Sequence, residues 1–167
     1  MRAYICLPTY DERENLEPML RALRNLLGAD DRVLVIDDSS PDGTGELADR
    51  LAAELDFVDV LHRPRKQGLG PAYLAGFRRA LDAGAELIVE MDCDFSHDPA
   101  DLPRLLEGAA DADLVLGSRY VRGGGVENWG LLRRLISAGG SLYARLLLGV
   151  PVRDLTGGFK EIGRAHV

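Results

Sequence analysis

The amino-acid sequence has few cysteines and no long hydrophobic run. No apolar segment reaches the roughly 18 residues that a membrane-spanning helix needs. A proline and several charges follow the short apolar stretch after Met1, so the first residues do not have the pattern of a signal peptide. The two cysteines, Cys6 and Cys93, lack metal-site spacing and need not pair. We therefore expect a protein on the cytoplasmic side, in a reducing compartment.

Several motifs that identify common enzyme classes are also missing. No G-x-G-x-x-G follows the first apolar run, so an NAD-type fingerprint is absent, and no G-x-x-x-x-G-K-[ST] is present, which excludes P-loop phosphoryl transfer. His62 and His97 have no partner motif for a zinc site or a Ser-His-Asp relay. The net charge of −7 argues against nucleic acid as the main partner.

The sequence does contain a regular alternation of apolar runs and helical patterns, within a length of 167 residues that fits one domain. This alternation predicts an α/β fold with a mostly parallel, Rossmann-like sheet flanked by helices. Ligand sites of such sheets lie beyond the carboxyl ends of the strands. We expect strands at residues 3–7, 33–36, 58–62, 87–91 and 114–117, and helices at 15–27, 44–55, 71–83 and 99–110.

Two carboxylates, Asp92 and Asp94, come at the end of the fourth apolar run. In extended backbone, residues i and i+2 point the same way, so both side chains can converge on one cation. Such oxygen ligands suit a hard divalent ion that carries a diphosphate. Alternatively, both are solvated loop carboxylates and Asp98 caps the helix that Pro99 begins.

The loops after the first three apolar runs carry groups that could meet a nucleotide. Tyr10 could stack on or edge a base and Glu12 could accept hydrogen bonds from it, although this segment could instead only cap a helix. Asp37 and Asp38 stand where nucleotide-binding sheets often hold a ribose hydroxyl or a base nitrogen. The basic, glycine-containing segment 63–71 could contact phosphate or could be a flexible surface turn.

Positive charge is concentrated in residues 118–153, where six arginines stand against one acid, Glu127. This cluster is either a solvated face, or an anion site or a surface that meets lipid headgroups. Arg119, after the fifth apolar run, is a candidate bidentate phosphate clamp. Residues 131–148 could form an apolar helix at a membrane interface or an ordinary core helix.

Taken in order along residues 4–159, six motifs resemble the dolichol-phosphate (polyprenol-phosphate) mannosyltransferases, which belong to the inverting glycosyltransferase family 2 with the GT-A fold. The resemblance implies GDP-mannose as donor, Mg²⁺ or Mn²⁺ as cofactor, and a polyprenyl (dolichyl) monophosphate as acceptor, hence peripheral contact with the inner face of the membrane. The motifs are PTYDERENL (8–16), IDDSSPDGT (36–44), GLG (68–70), MDCDFSH (91–97), GSRY (117–120) and DLTGGF (154–159).

The resemblance also assigns roles to individual residues. Arg119 matches the donor-phosphate arginine, and Asp92, Asp94 and Arg119 are the expected catalytic residues. Arg133 and Ser137, one helical turn apart, match the acceptor-phosphate site. The expected guanosine contacts are Pro8, Tyr10, Glu12, Ile36 and Asp38; the expected metal and diphosphate site is Asp92, Cys93 and Asp94, with Ser96 as a further candidate metal ligand.

The end of the chain departs from the family pattern. The family continues for many residues beyond Lys160, whereas residues 161–167 resemble a translated sequencing adapter. We therefore expect a catalytic domain at residues 1–160, incomplete at its C-terminus, followed by a foreign tail at 161–167. Two other functions fit the motifs: a family 2 transferase that uses another nucleotide sugar or a saccharide acceptor, and a truncated, non-catalytic nucleotide-sugar binding module.

Overall fold

The structure is a computed structural model that describes residues 1–118 and 158–163, together with positions 139, 140, 143, 147 and 149. Strands and helices alternate through the first of these ranges, as the sequence predicts. In chain order the elements are β1 (Ala3–Thr9), α1 (Arg13–Arg24), β2 (Arg32–Asp37), α2 (Thr44–Glu54), β3 (Val58–His62), α3 (Leu69–Asp82), β4 (Leu87–Glu90), a 3-10 turn (Pro99–Asp101), α4 (Leu102–Gly108), β5 (Leu114–Leu116) and β6 (Lys160–Gly163).

Within the described residues, six strands form one sheet in the order β3-β2-β1-β4-β6-β5. The strands β1 to β4 are parallel to one another, and Ile5 of β1 pairs with Val33 on one side and Val89 on the other. Only β6 runs antiparallel, between β4 and β5. The prediction of a mostly parallel sheet flanked by helices is confirmed. The chain leaves β1 towards β2 and later returns to β4, so the switch point lies between β1 and β4.

The sheet separates two layers of apolar side chains. In β1, Ile5 and Leu7 pack with apolar side chains of α1, α2 and α4, whereas Tyr4 and Cys6 pack with those of α3. This alternation follows from the two-residue period of a strand. Gly76 lets α3 approach closely, because a Cβ atom at this position would lie 2.4 Å from Ile36 Cδ1.

The ends of the elements differ from the predictions in small ways. Strand β1 continues to Thr9, beyond the predicted end at residue 7, whereas β4 stops at Glu90, one residue early. The helix predicted at 99–110 begins as a 3-10 turn and becomes the shorter α4. Asp98 caps this turn, since its Oδ1 accepts the Ala100 N–H at 2.9 Å.

Strand β6 was not predicted, because four residues with no alternating apolar pattern carry no strand signal. It includes residues 161–163 of the segment for which we expect a foreign origin, and that origin stays a prediction. Glu161 pairs with Val89 and Val115 and is fully buried. Neither carboxylate oxygen has a hydrogen-bond partner among the described residues, and burial raises the pKa of Glu161 to about 7.

Within the described ranges, no helix combines the length and apolar character that crossing a membrane requires.

Candidate functional site

Backbone strain collects in the loops at the carboxyl edge of the sheet. Among the described residues, three non-glycine residues have a positive φ: Asp11 at 60°, Ser39 at 56° and Phe95 at 58°. They lie in the loops after β1, β2 and β4. Such conformations cost about 1–3 kcal/mol each and persist where the surrounding structure holds them, often at functional sites.

The loops after β1 and β2 are fastened to each other by hydrogen bonds. The backbone N–H groups of residues 11, 12 and 13 donate in turn to Ser40 Oγ at 3.2 Å, Thr44 Oγ1 at 3.1 Å and Asp42 Oδ2 at 3.1 Å. Glu12 is the N-cap residue of α1, but its side chain makes no capping hydrogen bond, and its carboxylate accepts the Asn15 side-chain amide at 2.8 Å. The two loops therefore present Tyr10, Glu12 and Asp38 on one rigid frame.

Asp38 is buried and already carries a counterion. The Arg63 guanidinium donates through Nη1 to Asp38 Oδ1 and through Nη2 to Gln67 Oε1 at 2.9 Å. The Gln67 backbone N–H donates to Asp38 Oδ2 at 3.4 Å. Arg63 belongs to the basic segment after β3, and its charge therefore neutralises Asp38 within the protein. A carboxylate has about four lone-pair positions, so Asp38 can still accept from a ligand.

Asp37 belongs to a different group of side chains from Asp38. It accepts the Ser40 hydroxyl at 2.6 Å and lies 3.8 Å from His62 Nδ1, while His62 Nε2 contacts Asp49 at 2.8 Å. The hydrogen bond to Asp49 raises the pKa of His62 despite partial burial. These residues line an acidic cavity of about 290 Å³, and none of the residues expected to contact donor or acceptor is part of its lining.

One face of the Tyr10 ring is covered by Lys66 from the loop after β3, whose Nζ lies 3.5 Å from the ring centroid. A cation above an aromatic face is attracted by the ring quadrupole. A base could therefore stack on the opposite face of Tyr10, or on this face after Lys66 moves away.

Asp92 and Asp94 both lie in the bend after β4, and their environments differ. Asp92 Oδ1 accepts the Tyr73 hydroxyl at 3.1 Å, whereas Asp94 Oδ1 accepts the Ser96 backbone N–H at 2.9 Å. Burial acts to raise the pKa of Asp94, but the hydrogen bonds from Ser96 bring it below the ordinary value. The convergence of both carboxylates on one cation stays a prediction, because β4 has ended before either residue.

Cys93 lies between the two aspartates of this bend. The thiol is buried, and burial raises its pKa, with further contributions from the negative charges of Glu12, Asp94 and Asp92. Strands β1 and β4 are parallel neighbours at this edge, and the Met91 N–H donates to the Cys6 carbonyl at 3.2 Å. The structure brings the candidate base-binding loop and the aspartate pair together at the switch point between β1 and β4.

The residues present limit the kind of metal site that this edge can form. The described residues contain no group of three or more His, Cys, Asp or Glu side chains that could hold a metal ion. Asp92, Asp94 and Ser96 supply oxygen atoms, which Mg²⁺ and Mn²⁺ prefer, and Mg²⁺ commonly takes one or two carboxylates together with substrate phosphates. The donor set fits such a shared ion and does not fit one held by protein ligands alone.

Sequence reasoning missed two residues that contact Asp92. Tyr73 belongs to an apolar helix pattern and carries no signal, whereas His97 ends the MDCDFSH motif but has no partner motif for a zinc site or a relay, so no role is expected for it. The His97 Nδ1 atom accepts the Asp92 N–H at 3.4 Å, and its ring stacks on Phe159 at a centroid distance of 5.3 Å. A Cβ atom on Gly158 would lie 3.1 Å from Asp92 Oδ2, so the end of the DLTGGF motif also reaches this site.

Three expected site residues, Arg119, Arg133 and Ser137, lie outside the described residues.

Comparisons with known proteins agree on one family. The family model described as Glycosyl transferase family 2 matches residues 4–165. The chain is 52% identical over 160 residues to the undecaprenyl-phosphate mannosyltransferase of Micrococcus luteus, covering 96% of this chain and 65% of that protein. It is 49% identical over 165 residues to the polyprenol monophosphomannose synthase of Mycolicibacterium smegmatis, covering 98% of this chain and 62% of that protein. The chain therefore spans slightly less than two thirds of both relatives.

A solved structure shares the fold. It is a mannosyltransferase from Pyrobaculum calidifontis in complex with GDP-Man and Mn²⁺, with a TM-score of 0.58 and 22% identity, covering 66% of this chain and 33% of that chain. At this level of identity the comparison establishes the fold alone.

Proposed function

The chain belongs to glycosyl transferase family 2 and has the expected GT-A fold, and on this premise we propose that it is an inverting glycosyltransferase that moves mannose from GDP-mannose to a polyprenyl monophosphate. One observation carries the proposal: β1 and β4 are parallel neighbours and the Met91 N–H donates to the Cys6 carbonyl, so the loop with Tyr10 and Glu12 and the bend with Asp92 and Asp94 leave the sheet side by side at the switch point. The names of the two relatives in Micrococcus luteus and Mycolicibacterium smegmatis support mannose as the sugar and a polyprenyl phosphate as the acceptor.

We assign the guanosine to the frame formed by the loops after β1 and β2. The exposed part of Tyr10 offers an aromatic surface, and the carboxylates of Glu12 and Asp38 accept hydrogen bonds, which are the groups that a guanine N–H edge needs. Pro8 and Ile36 pair with each other across β1 and β2, so the two strand ends are in register beneath this frame.

We assign the diphosphate and its divalent ion to Asp92, Cys93 and Asp94, with Ser96 as a further ligand. Asp94 is well suited because it is exposed and its carboxylate is favoured in the ionised form. When bound, Mg²⁺ or Mn²⁺ neutralises the charge of the departing diphosphate. The complex of the Pyrobaculum calidifontis enzyme with GDP-Man and Mn²⁺ supports this pairing of donor and metal.

The proposed reaction needs no general base. A lipid monophosphate is already an anion at neutral pH, so its oxygen can attack the anomeric carbon directly while the bond from that carbon to the GDP oxygen breaks. GDP departs with the electron pair, and attack from the opposite side gives a β-linked product. Arg119 is proposed to hold the donor phosphates, and Arg133 and Ser137 the acceptor phosphate, which orients the nucleophile. A lipid acceptor implies peripheral contact with the inner face of the membrane.

Calorimetry with GDP-mannose and Mn²⁺, followed by transfer to a short polyprenyl phosphate, tests this proposal. The expected result is Mn²⁺-dependent binding, then formation of a mannosyl phosphate lipid. Tighter binding of another nucleotide sugar, or transfer to a saccharide and not to lipid phosphate, would favour a different family 2 transferase. Binding without any transfer would indicate a nucleotide-sugar binding module.

The metal assignment has its own test in Asp94→Ala. We expect this variant to lose Mn²⁺-dependent donor binding, because it removes one of the two carboxylates that would share the ion with the donor phosphates. Asp98→Ala is the control, since Asp98 lies in the same bend but caps the 3-10 turn. Unchanged Mn²⁺-dependent binding by Asp94→Ala would remove the assignment.

A further inference from the structure

The hydroxyl of Tyr73 reaches out of the core to the first aspartate of the pair. Tyr73 lies in the second turn of α3, its side chain is buried with a relative exposure of 6%, and its hydroxyl donates to Asp92 Oδ1 at 3.1 Å. The ring packs beside Phe77 at a centroid distance of 6.0 Å. A buried ring on a regular helix has little freedom, so the hydroxyl is held at a fixed place relative to the sheet.

The alternation of β4 explains why Asp92 meets α3. Leu87, Val89, Met91 and Cys93 all belong to the layer beneath α1, α2 and α4, whereas Ile88 belongs to the layer beneath α3. The alternation thus continues past the end of the strand, and Asp92 falls on the α3 side. The buried Cys93 fixes the direction of the backbone, and Tyr73 then fixes the carboxylate.

Asp94 has no comparable support in the described part of the chain. Within these residues it accepts hydrogen bonds from Ser96, two residues away in the same bend, and its side chain is exposed. One carboxylate of the pair is therefore tied to a helix of the scaffold, and the other is tied only to its own loop. Precise sites require groups whose positions are locked by packing and outer hydrogen bonds.

We propose that Tyr73 is a positioning residue for the donor site, whose hydroxyl holds the Asp92 carboxylate in the orientation needed to bind a nucleoside diphosphate with its divalent ion. This inference rests on the proposed function, since it assumes that Asp92 serves the diphosphate. Tyr73 acts through Asp92 and does not itself touch the substrate. Loss of an outer partner of this kind typically weakens metal-dependent binding about tenfold or more.

The test compares Tyr73→Phe with Tyr4→Phe in the full chain. Tyr4 is a matched control because it is buried in the same α3-side layer and its hydroxyl donates to a carboxylate, Asp59 Oδ2 at 3.2 Å, at the other end of β1. Both changes remove one hydroxyl and keep the ring. Calorimetry would measure binding of GDP with Mn²⁺ and of GMP without metal, and thermal unfolding would show that each variant is folded.

We expect Tyr73→Phe to raise the Kd for GDP with Mn²⁺ about tenfold, with the Kd for GMP unchanged and Tyr4→Phe equal to wild type in both. Asp92→Asn should show the same selective loss, which provides a second route if Tyr73→Phe is poorly folded. Binding of GDP by Tyr73→Phe or by Asp92→Asn at the wild-type Kd would overturn the inference. Equal losses of GMP and GDP binding in Tyr73→Phe would also overturn it, as would a loss of GDP binding in Tyr4→Phe equal to that in Tyr73→Phe. If wild type itself shows no Mn²⁺-dependent GDP binding, the proposed donor site fails as well.

Discussion

Replacing Glu161 by methionine should make the protein more stable, and by more at high pH. Glu161 is fully buried in β6, and neither carboxylate oxygen has a partner among the described residues. Methionine has a similar length and volume without charge, so it can fill the same space. The change therefore removes a desolvation penalty while it keeps a side chain of similar volume at this position of β6.

The size of the effect follows from the pKa of the carboxyl group. Burial raises it from 4.5 to about 7, and such a difference corresponds to about 3 kcal/mol between the protonated and ionised forms. Because the folded state binds the proton more tightly than the unfolded state, Glu161 destabilises the fold increasingly as pH rises from 4.5 through 7. Below pH 4.5 only the smaller cost of an unsatisfied neutral carboxyl remains, about 1–3 kcal/mol.

Urea unfolding at pH 5 and pH 8 would measure this. We expect Glu161→Met to be more stable than wild type at both values, with the larger gain at pH 8. Glu107→Met is the control, since Glu107 is exposed on α4 and should change stability by no more than about 0.5 kcal/mol. An equal gain at both pH values, or no gain at pH 8, would refute the reasoning and indicate that Glu161 is solvated or paired.

Two further changes test the scaffold around the site. Gly76→Ala should destabilise the protein by about 1–3 kcal/mol in urea unfolding, because the added Cβ would lie 2.4 Å from a side-chain carbon of Ile36 in β2. A gain in stability, as alanine gives in an open helix, would contradict this and show that α3 can shift. Arg63→Met should lower the free energy of unfolding by about 3–5 kcal/mol, because it leaves Asp38 buried without its counterion. Adding Asp38→Asn should recover part of this stability. A wild-type unfolding midpoint for Arg63→Met alone would contradict the importance of the pair.

The strands and helices of the parallel part of the fold are largely predictable, because each parallel strand is a local apolar run and each helix has its own periodic face. The five predicted strands are all present, with ends shifted by at most two residues at β1, β2, β4 and β5. The candidate loops could be found for the same reason, since parallel strands place their carboxyl ends at one edge. Strand β6 could not be found, because its pairing with β4 and β5 depends on partners far away in sequence.

The partners of the acidic side chains could not be read from the sequence either. Arg63 belonged to a basic segment that fitted phosphate, yet its guanidinium neutralises Asp38, 25 residues away. Tyr73 belonged to an apolar helix face, yet its hydroxyl holds Asp92, 19 residues away. The sequence by itself determined which residue types follow each strand, because local periodicity and motif order encode them. Only the tertiary structure decided which carboxylates are held by distant elements and which are held by their own loop, because hydrogen bonds between distant elements depend on how the helices pack on the sheet.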